Sequence, residues 1–125
     1  MREILFRGKR KDNGKWVEGM LVRYNPELEV ANMADEFEIL VPVNTKTVGQ
    51  FTGLTDKNGT KIFEGDIVKG AWDTIFQVVY DDCYLGFRAK EEDGMHNCID
   101  YYGLDLIEVI GNIYDNPELL KEREG

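Results

Sequence analysis

The stretch that decides the fold comprises residues 52–68, TGLTDKNGTKIFEGDIV, in which short apolar runs alternate with turn-forming residues. Residues 55–60 have the composition of a tight turn, because Asn58 and Gly59 tolerate the positive φ that such turns require. The runs at 61–63 and 67–69 predict strands on either side of a second turn. The stretch therefore predicts a compact unit of short strands and tight turns.

The same alternation continues outward along the chain. Strands are predicted at 4–8, 16–24, 37–43, 48–52, 75–80, 86–90 and 107–114. Many short strands separated by glycine-containing turns are typical of barrels and coiled sheets. We therefore predict a mainly β fold that forms a single domain over residues 1–125.

Particular residues refine this prediction. The turn signal Asp12-Asn13-Gly14 joins the first two strands into a hairpin over 1–24. Pro42 places the end of its strand at a sheet edge or at a strand terminus, and Gly111 indicates a bulge.

Two further segments are not predicted as strands. Residues 25–36 are acidic and leave room for a short strand, but we expect them to form a long, partly mobile loop. Asn116 and Pro117 predict a short helix over about 116–122, since they suit the cap and the first helical position.

Length and apolar composition bound the class of protein. A chain of 125 residues with 42% hydrophobic residues fits one globular domain. No apolar run reaches the roughly 18 residues that a membrane-spanning helix needs. Arg7 interrupts the first apolar run, so no export signal is visible and a cytoplasmic location is expected. A membrane is not expected as a partner.

Charge is unevenly distributed. Residues 1–25 carry seven lysines and arginines against three acids, so their net charge is +4. The remaining hundred residues carry −13, which gives the whole chain its net charge of −9. An acidic chain opposes non-specific binding of nucleic acid. The basic hairpin is open to two interpretations: it binds an anion, or it packs beside the acidic part of this chain or of a neighbouring copy. We favour the second.

Residues with metal-binding or nucleophilic chemistry are few. Cys83 and Cys98 are interpreted as two free thiols that act as small buried apolar groups. With His96 as the sole histidine, they do not make a zinc set. If Gly59 were the sixth residue of a calcium loop, the twelfth would be Gly65 instead of glutamate. No phosphate-binding motif is present, so we expect no enzyme activity, no cofactor and no metal.

Three anchors of the sequence resemble the YopX family. The central one is QFTGLTDKNG at 50–59 with IFEGDIV at 62–68. The opening FRG at 6–8 and the closing VIGNIYDNPELL at 109–120 resemble the two ends of family members. These proteins are encoded by bacteriophages and by prophage regions of bacterial genomes. The resemblance implies coiled antiparallel sheets with an SH3-like barrel, here at about 46–114, and it carries over no catalytic residue.

The motif at the centre of this resemblance is explained by folding alone. Its glycines suit backbone positions that a Cβ would disfavour, and its acids can accept hydrogen bonds from turn amides. We predict that the following residues specify the fold: Gly53, Asp56, Asn58, Gly59, Glu64, Gly65 and Asp66. No binding residue is identified from the sequence.

Two hypotheses for function follow. The first is a non-catalytic protein-interaction or regulatory module that acts in the bacterial host on an unknown protein partner or on further copies of itself. The alternative is a nucleic-acid-binding module that uses the basic hairpin, with Trp16 or Tyr24 stacking on bases. We favour core positions for these two aromatic residues.

Overall fold

The computed structural model describes residues 3–121, which form a mainly β structure with 48% of residues in strands. The chain divides into two compact units, residues 1–53 and 54–125. Each unit has its own apolar core.

The first unit is an antiparallel sheet in the order β4-β3-β2-β1-β5. Its strands are β1 (Phe6–Lys9), β2 (Trp16–Asn25), β3 (Val30–Ala34), β4 (Leu40–Pro42) and β5 (Gly49–Thr55). Strands β1 and β2 pair from Phe6↔Gly19 to Lys9↔Trp16, which confirms the predicted N-terminal hairpin. Strand β4 lies at the edge of the sheet, as Pro42 predicted. The core of this unit is formed by Val17, Ala31, Met33, Val41 and Val43.

The second unit begins in the last residues of β5, which lead through a turn into β6 (Lys61–Phe63). Its sheet has the order β10-β9-β8-β7-β11. These strands are β7 (Asp66–Lys69), β8 (Ile75–Asp81), β9 (Gly86–Lys90), β10 (His96–Asn97) and β11 (Glu108–Asn112). Its core is formed by Ile62, Val68, Phe76, Val78, Ala89, Ile99, Tyr102 and Ile107.

The predicted loop at 25–36 is wrong in its second half. Residues Val30–Ala34 form β3, which pairs with β2 on one side and β4 on the other. Ala31 and Met33 alternate into the core, and this period of two is the pattern of a half-buried strand. The strand predicted at 37–43 is correspondingly shorter, because the Asp35 carboxylate accepts the N–H groups of Phe37 and Ile39 and holds a turn before Leu40.

The predicted SH3-like barrel is not confirmed. Over residues 3–121 both sheets are open, with edge strands at each end of the strand order. A barrel requires the first and last strands of a sheet to pair, which leaves no edge. The fold is mainly β, with two antiparallel sheets that are not closed.

The C-terminal helix begins later than predicted. Helix α1 covers Glu118–Lys121, and the predicted end at residue 122 lies outside the described residues. The Asn116 side chain accepts the Asn112 N–H at 3.2 Å. Gly111 lies at a register shift in the β11–β7 pairing, which confirms the predicted bulge. A Cβ there would lie 2.7 Å from the Asn116 side-chain oxygen, so the bulge and the helix approach depend on glycine.

Gly65 has both a positive φ and a close neighbour, whereas Gly53 has only the positive φ, so comparing the two glycines separates the two effects. Gly65 has φ +93 and a Cβ would lie 3.2 Å from the Tyr114 ring, whereas Gly53 has φ +90 and open space. We expect Gly53→Ala to lower the free energy of unfolding by about 1 kcal/mol and Gly65→Ala by about 2 to 3 kcal/mol, measured by urea denaturation. Equal losses would show that the Tyr114 ring moves aside without cost.

Candidate functional site

The side chain of Asp56 makes several hydrogen bonds to the backbone of the central motif and of β11. Its carboxylate accepts the backbone N–H groups of Asn58, Thr60 and Val109, each at 2.9 Å. Burial raises the pKa of this carboxyl, but the three hydrogen bonds and the nearby Lys57 cation outweigh burial and lower the pKa. Asp56 is therefore ionised and fully engaged in closing the turn and holding β11.

The other motif residues also make structural contacts. Asp66 is buried and accepts the Phe63 N–H at 2.7 Å. The Gly65 N–H donates to the Val78 carbonyl, and the Gly65 carbonyl accepts the Ile113 N–H. Gly59 has φ +81 and its N–H donates to the Asp56 carbonyl. Glu64 is half-buried beside them. These positions agree with a role in folding, which the substitutions proposed for this motif test directly.

Within residues 3–121, no group of three or more histidine, cysteine, aspartate or glutamate side chains is placed to hold a metal ion. The same part of the chain contains no helix of the length and hydropathy needed to cross a membrane.

The two cysteines are free, but the prediction that they are buried is wrong. Cys83 and Cys98 are both exposed. The Arg88 guanidinium donates to the Cys98 sulfur at 3.4 Å. Nδ1 of His96 lies 2.7 Å from Oδ2 of Asp81, and this contact is the main reason that the pKa of Asp81 is lowered. The hydrogen bonds of His96 and Cys98 are thus made with Asp81 and Arg88.

The basic hairpin of the first unit is engaged by its own neighbours. The Arg10 guanidinium donates two hydrogen bonds to the Asp12 carboxylate, and the Lys11 ammonium donates to the Glu29 carbonyl. The Arg7 guanidinium lies 4.8 Å from the centre of the Trp16 ring. Such cation–π contacts occupy a face of the ring that a base would otherwise stack upon.

The predicted core positions of the hairpin aromatics hold only in part. Trp16 is half-buried, whereas Tyr24 is 50% exposed. Trp16 and the exposed Phe37 line an open groove in the first unit together with Arg10, Asn13, Lys15, Val17, Glu18, Asp35 and Glu36. The lining contains two basic and three acidic side chains, so it does not strongly favour a ligand of either charge.

The most unusual feature of the molecule is the turn between β7 and β8. The Thr74 N–H donates to the Ala71 carbonyl across Trp72 and Asp73, whose φ angles are +61° and +57°. Two successive positive φ angles are the requirement of type I′ turns, which strongly prefer Asn-Gly. A residue with a Cβ costs roughly 1–2 kcal/mol in this left-handed region. The protein therefore holds a tryptophan where its side chain is least favoured.

Burial of the Trp72 side chain does not offset the cost of the left-handed backbone. The side chain is 77% exposed, and its ring centre lies 5.9 Å from that of Tyr101, which is 61% exposed. We call this pair, Trp72 and Tyr101, the aromatic tip. Exposed tryptophan and tyrosine at neighbouring positions are typical of the residues that contribute most to protein–protein interfaces.

The aromatic tip rests on a rigid base. Tyr101 packs edge-on against Tyr102, and Tyr102 stacks on Phe76 with ring centres 4.4 Å apart. The Tyr102 hydroxyl donates to the Glu91 carboxylate at 2.6 Å. Burial and this hydrogen bond raise the pKa of Tyr102 to about 12, so its phenol keeps the proton that it donates.

Gly70 allows the turn to approach this base. A Cβ on Gly70 would lie 2.6 Å from the Tyr102 Cβ and 3.3 Å from Ile107, so only glycine permits the close contact. The β7–β8 turn and the segment Ile99–Tyr102 are thereby held together.

The aromatic tip was not predicted from the sequence. Residues 70–74 lack the Asn-Gly signal that identifies tight turns, and Tyr101 is separated from Trp72 by 28 intervening residues. One signal was present: the tryptophan of Gly70-Ala71-Trp72-Asp73 lies in the short connection between two predicted strands, where a small or polar residue is usual. Positive φ at such a residue cannot be inferred from composition.

Two antiparallel sheets, a short C-terminal helix and an exposed aromatic pair define a small mainly β protein. The family model described as "YopX protein" matches residues 5–121. The chain belongs to the YopX family.

Two other comparisons complete the picture. The crystal structure of protein EF1440 from Enterococcus faecalis is similar, with a TM-score of 0.61 and 23% sequence identity. The match covers 96% of this chain and 99% of that one, and it shows a shared fold. No curated protein matches the chain.

Replacing Asp56 tests its role in the turn. We expect Asp56→Asn to lower the free energy of unfolding at neutral pH by about 2 kcal/mol, because an amide cannot accept all three N–H groups. The lowered pKa means that the carboxylate stabilises the fold above its unfolded pKa of about 3.9 and loses that effect as pH falls through the folded pKa. The difference between the proteins in urea denaturation should therefore shrink in acid.

Asp12→Asn is the matched control, because Asp12 is exposed and bonds to the Arg10 side chain. Its effect should be clearly smaller. A loss at Asp56 that stays constant down to strongly acidic pH would contradict the ionised-acceptor role.

The strained turn makes an opposite prediction. We expect Trp72→Asn/Asp73→Gly to raise the free energy of unfolding by about 1 kcal/mol, because both residues then suit positive φ. Trp72→Ala/Asp73→Gly is the control, since it removes the ring and carries the same glycine but leaves at position 72 a residue that disfavours the left-handed region. Thermal denaturation in which Trp72→Asn/Asp73→Gly is no more stable than this control would argue against backbone strain at Trp72.

Proposed function

We propose that this protein is a non-catalytic protein-interaction module that binds a protein partner through the aromatic tip. The observation that carries the proposal is Trp72, which is 77% exposed on a left-handed backbone. Strained residues persist where the surrounding structure holds them, and they concentrate at binding sites and other functional positions.

Energetics support a binding role. Asn-Gly would satisfy the same turn at lower free energy, and this chain uses Asn58-Gly59 in the turn before β6. A large exposed ring contributes little to the stability of the isolated fold, because its apolar surface remains in water. Such a ring stabilises a complex when a partner covers it. The ring is thus better explained by association than by folding.

The contacts of the titratable side chains support a non-catalytic role. His96 bonds to Asp81 and Cys98 to Arg88, while the Glu91 carboxylate accepts from Tyr102 and Asn97. A nucleophile requires a base within hydrogen-bond reach, and His96 and Cys98 have other partners. Each of these groups supports neighbouring backbone or packing.

The cellular setting of the proposal comes from the motif resemblance. We propose that the protein is encoded by a bacteriophage or a prophage and acts in the cytoplasm of the bacterial host. The partner would then be a host or phage protein.

The nucleic-acid alternative has less support. Arg10, Lys11 and a face of Trp16 are occupied by contacts within the first unit. The net charge of −9 adds long-range repulsion from phosphates. The exposed Tyr24 and the exposed cations Lys15 and Arg23 are placed as that hypothesis expected.

Affinity capture from a lysate of phage-infected bacteria tests the proposal. The wild-type chain and Trp72→Asn are immobilised, and bound proteins are quantified by mass spectrometry. We expect at least one protein to be retained by the wild type and lost at least about tenfold with Trp72→Asn, as befits a central interface residue. Nuclease treatment of the lysate separates protein partners from nucleic acid.

Phe37→Ser is the matched control, because Phe37 is an aromatic residue of similar exposure, 73%, in the first unit. It should retain the same proteins as the wild type. Capture profiles that are identical for wild type and Trp72→Asn would refute binding through the aromatic tip, and nuclease-sensitive capture would favour the alternative.

A further inference from the structure

We infer that the aromatic tip takes a segment of a partner protein that presents lysine or arginine side chains. The inference rests on the proposed function and specifies the chemistry of the partner. It follows from the charges that surround Trp72 and Tyr101.

The polar side chains near the tip are predominantly acidic. Asp73 belongs to the strained turn, Asp100 precedes Tyr101 in the short 3-10 helix Ile99–Tyr102, and Asp105 lies in the turn after that helix; all three are exposed. The Lys69 ammonium lies 3.3 Å from the Asp73 carboxylate, so these two charges partly offset each other, and Asp100 and Asp105 leave this part of the surface net negative. A basic segment therefore gains attraction from the rim, and an acidic one is repelled.

The rings themselves suit cations. The face of an aromatic ring attracts lysine and arginine, with tryptophan the strongest. The same contact occurs elsewhere in this chain, where the Arg88 guanidinium lies 4.1 Å from the centre of the Tyr84 ring. At the tip, Trp72 is the more exposed ring, and its acidic neighbours strengthen the attraction. A basic side chain can therefore contact a ring face and be attracted by the neighbouring aspartates at the same time.

A second copy of this chain is a poorer occupant. Two cations of its basic hairpin are engaged within its own chain, Arg10 with Asp12 and Lys11 with the Glu29 carbonyl. Breaking those contacts would offset the attraction at the tip. Nucleic acid is excluded more strongly, because the aspartates of the rim repel phosphates. A separate protein with free lysines or arginines meets neither obstacle.

Selection from a library of short random peptides tests this inference. Peptides that bind the wild-type chain are retained, and those that also bind Trp72→Asn are removed. We expect the surviving sequences to be enriched in arginine and lysine. The best peptide is then synthesised and its affinity measured by calorimetry.

Charge variants of the protein show whether the rim contributes. Asp73→Asn/Asp105→Asn should weaken that peptide by about threefold to tenfold, and raising salt from about 0.05 M to about 0.5 M should weaken it similarly. Asn suits the left-handed position of residue 73, so the fold is preserved. Asp82→Asn removes one charge at an exposed position in the turn after β8, at the end of that strand opposite to the tip, and should leave the affinity unchanged.

The outcomes separate this inference from the proposed function. Peptides that are apolar or acidic and still depend on Trp72 would overturn the basic partner and leave the interaction module standing. No Trp72-dependent peptide, together with no Trp72-dependent protein in the lysate, would overturn both. Self-association in sedimentation that is abolished by Trp72→Asn would overturn the inference by making a second copy the occupant.

Discussion

The carboxylate of Asp56 is the interaction on which the second unit depends. Its three hydrogen bonds close the turn after β5 and hold the start of β11 through the Val109 N–H. The adjacent Lys57 N–H donates to the Ile107 carbonyl. Ile107 is fully buried and lies against Gly70, so the position of the strained turn follows from this attachment. One ionised side chain thus links the family motif to the surface that we assign to binding.

Two turns in the same unit show what selection for folding and for binding each require. The turn at 56–59 places glycine at its left-handed position and a carboxylate over its amides. The turn at 71–74 places tryptophan and aspartate at left-handed positions and leaves the ring in solvent. The first arrangement is explained by local stability. The second lowers local stability, and the proposed contact with a partner supplies its explanation.

Much of the fold could be predicted from sequence because its signals are local. The hairpin at Asn13-Gly14, the edge position of Pro42 and the bulge at Gly111 each follow from the backbone preference of one residue. Strand β3 was missed because its alternation is short and its buried residues, Ala31 and Met33, have weak strand propensity. Cys83 and Cys98 were misplaced because thiols are usually buried, and the contact with Arg88 is not visible in sequence. The aromatic tip unites residues far apart in the chain, and its left-handed backbone is set by tertiary packing.

The edges of the two sheets have a consequence for the behaviour of the protein in a crowded cell. Strand β4 is three residues long and contains Pro42, β10 has two residues, and β11 carries the Gly111 bulge. Short, bulged or proline-containing edges are poor templates for strand addition from another chain. A protein that displays a tryptophan and a tyrosine in water is at risk of aggregation, and these edges remove the commonest route to it. The fold can therefore expose the aromatic tip to a partner while its sheet edges disfavour polymerisation of its own chains.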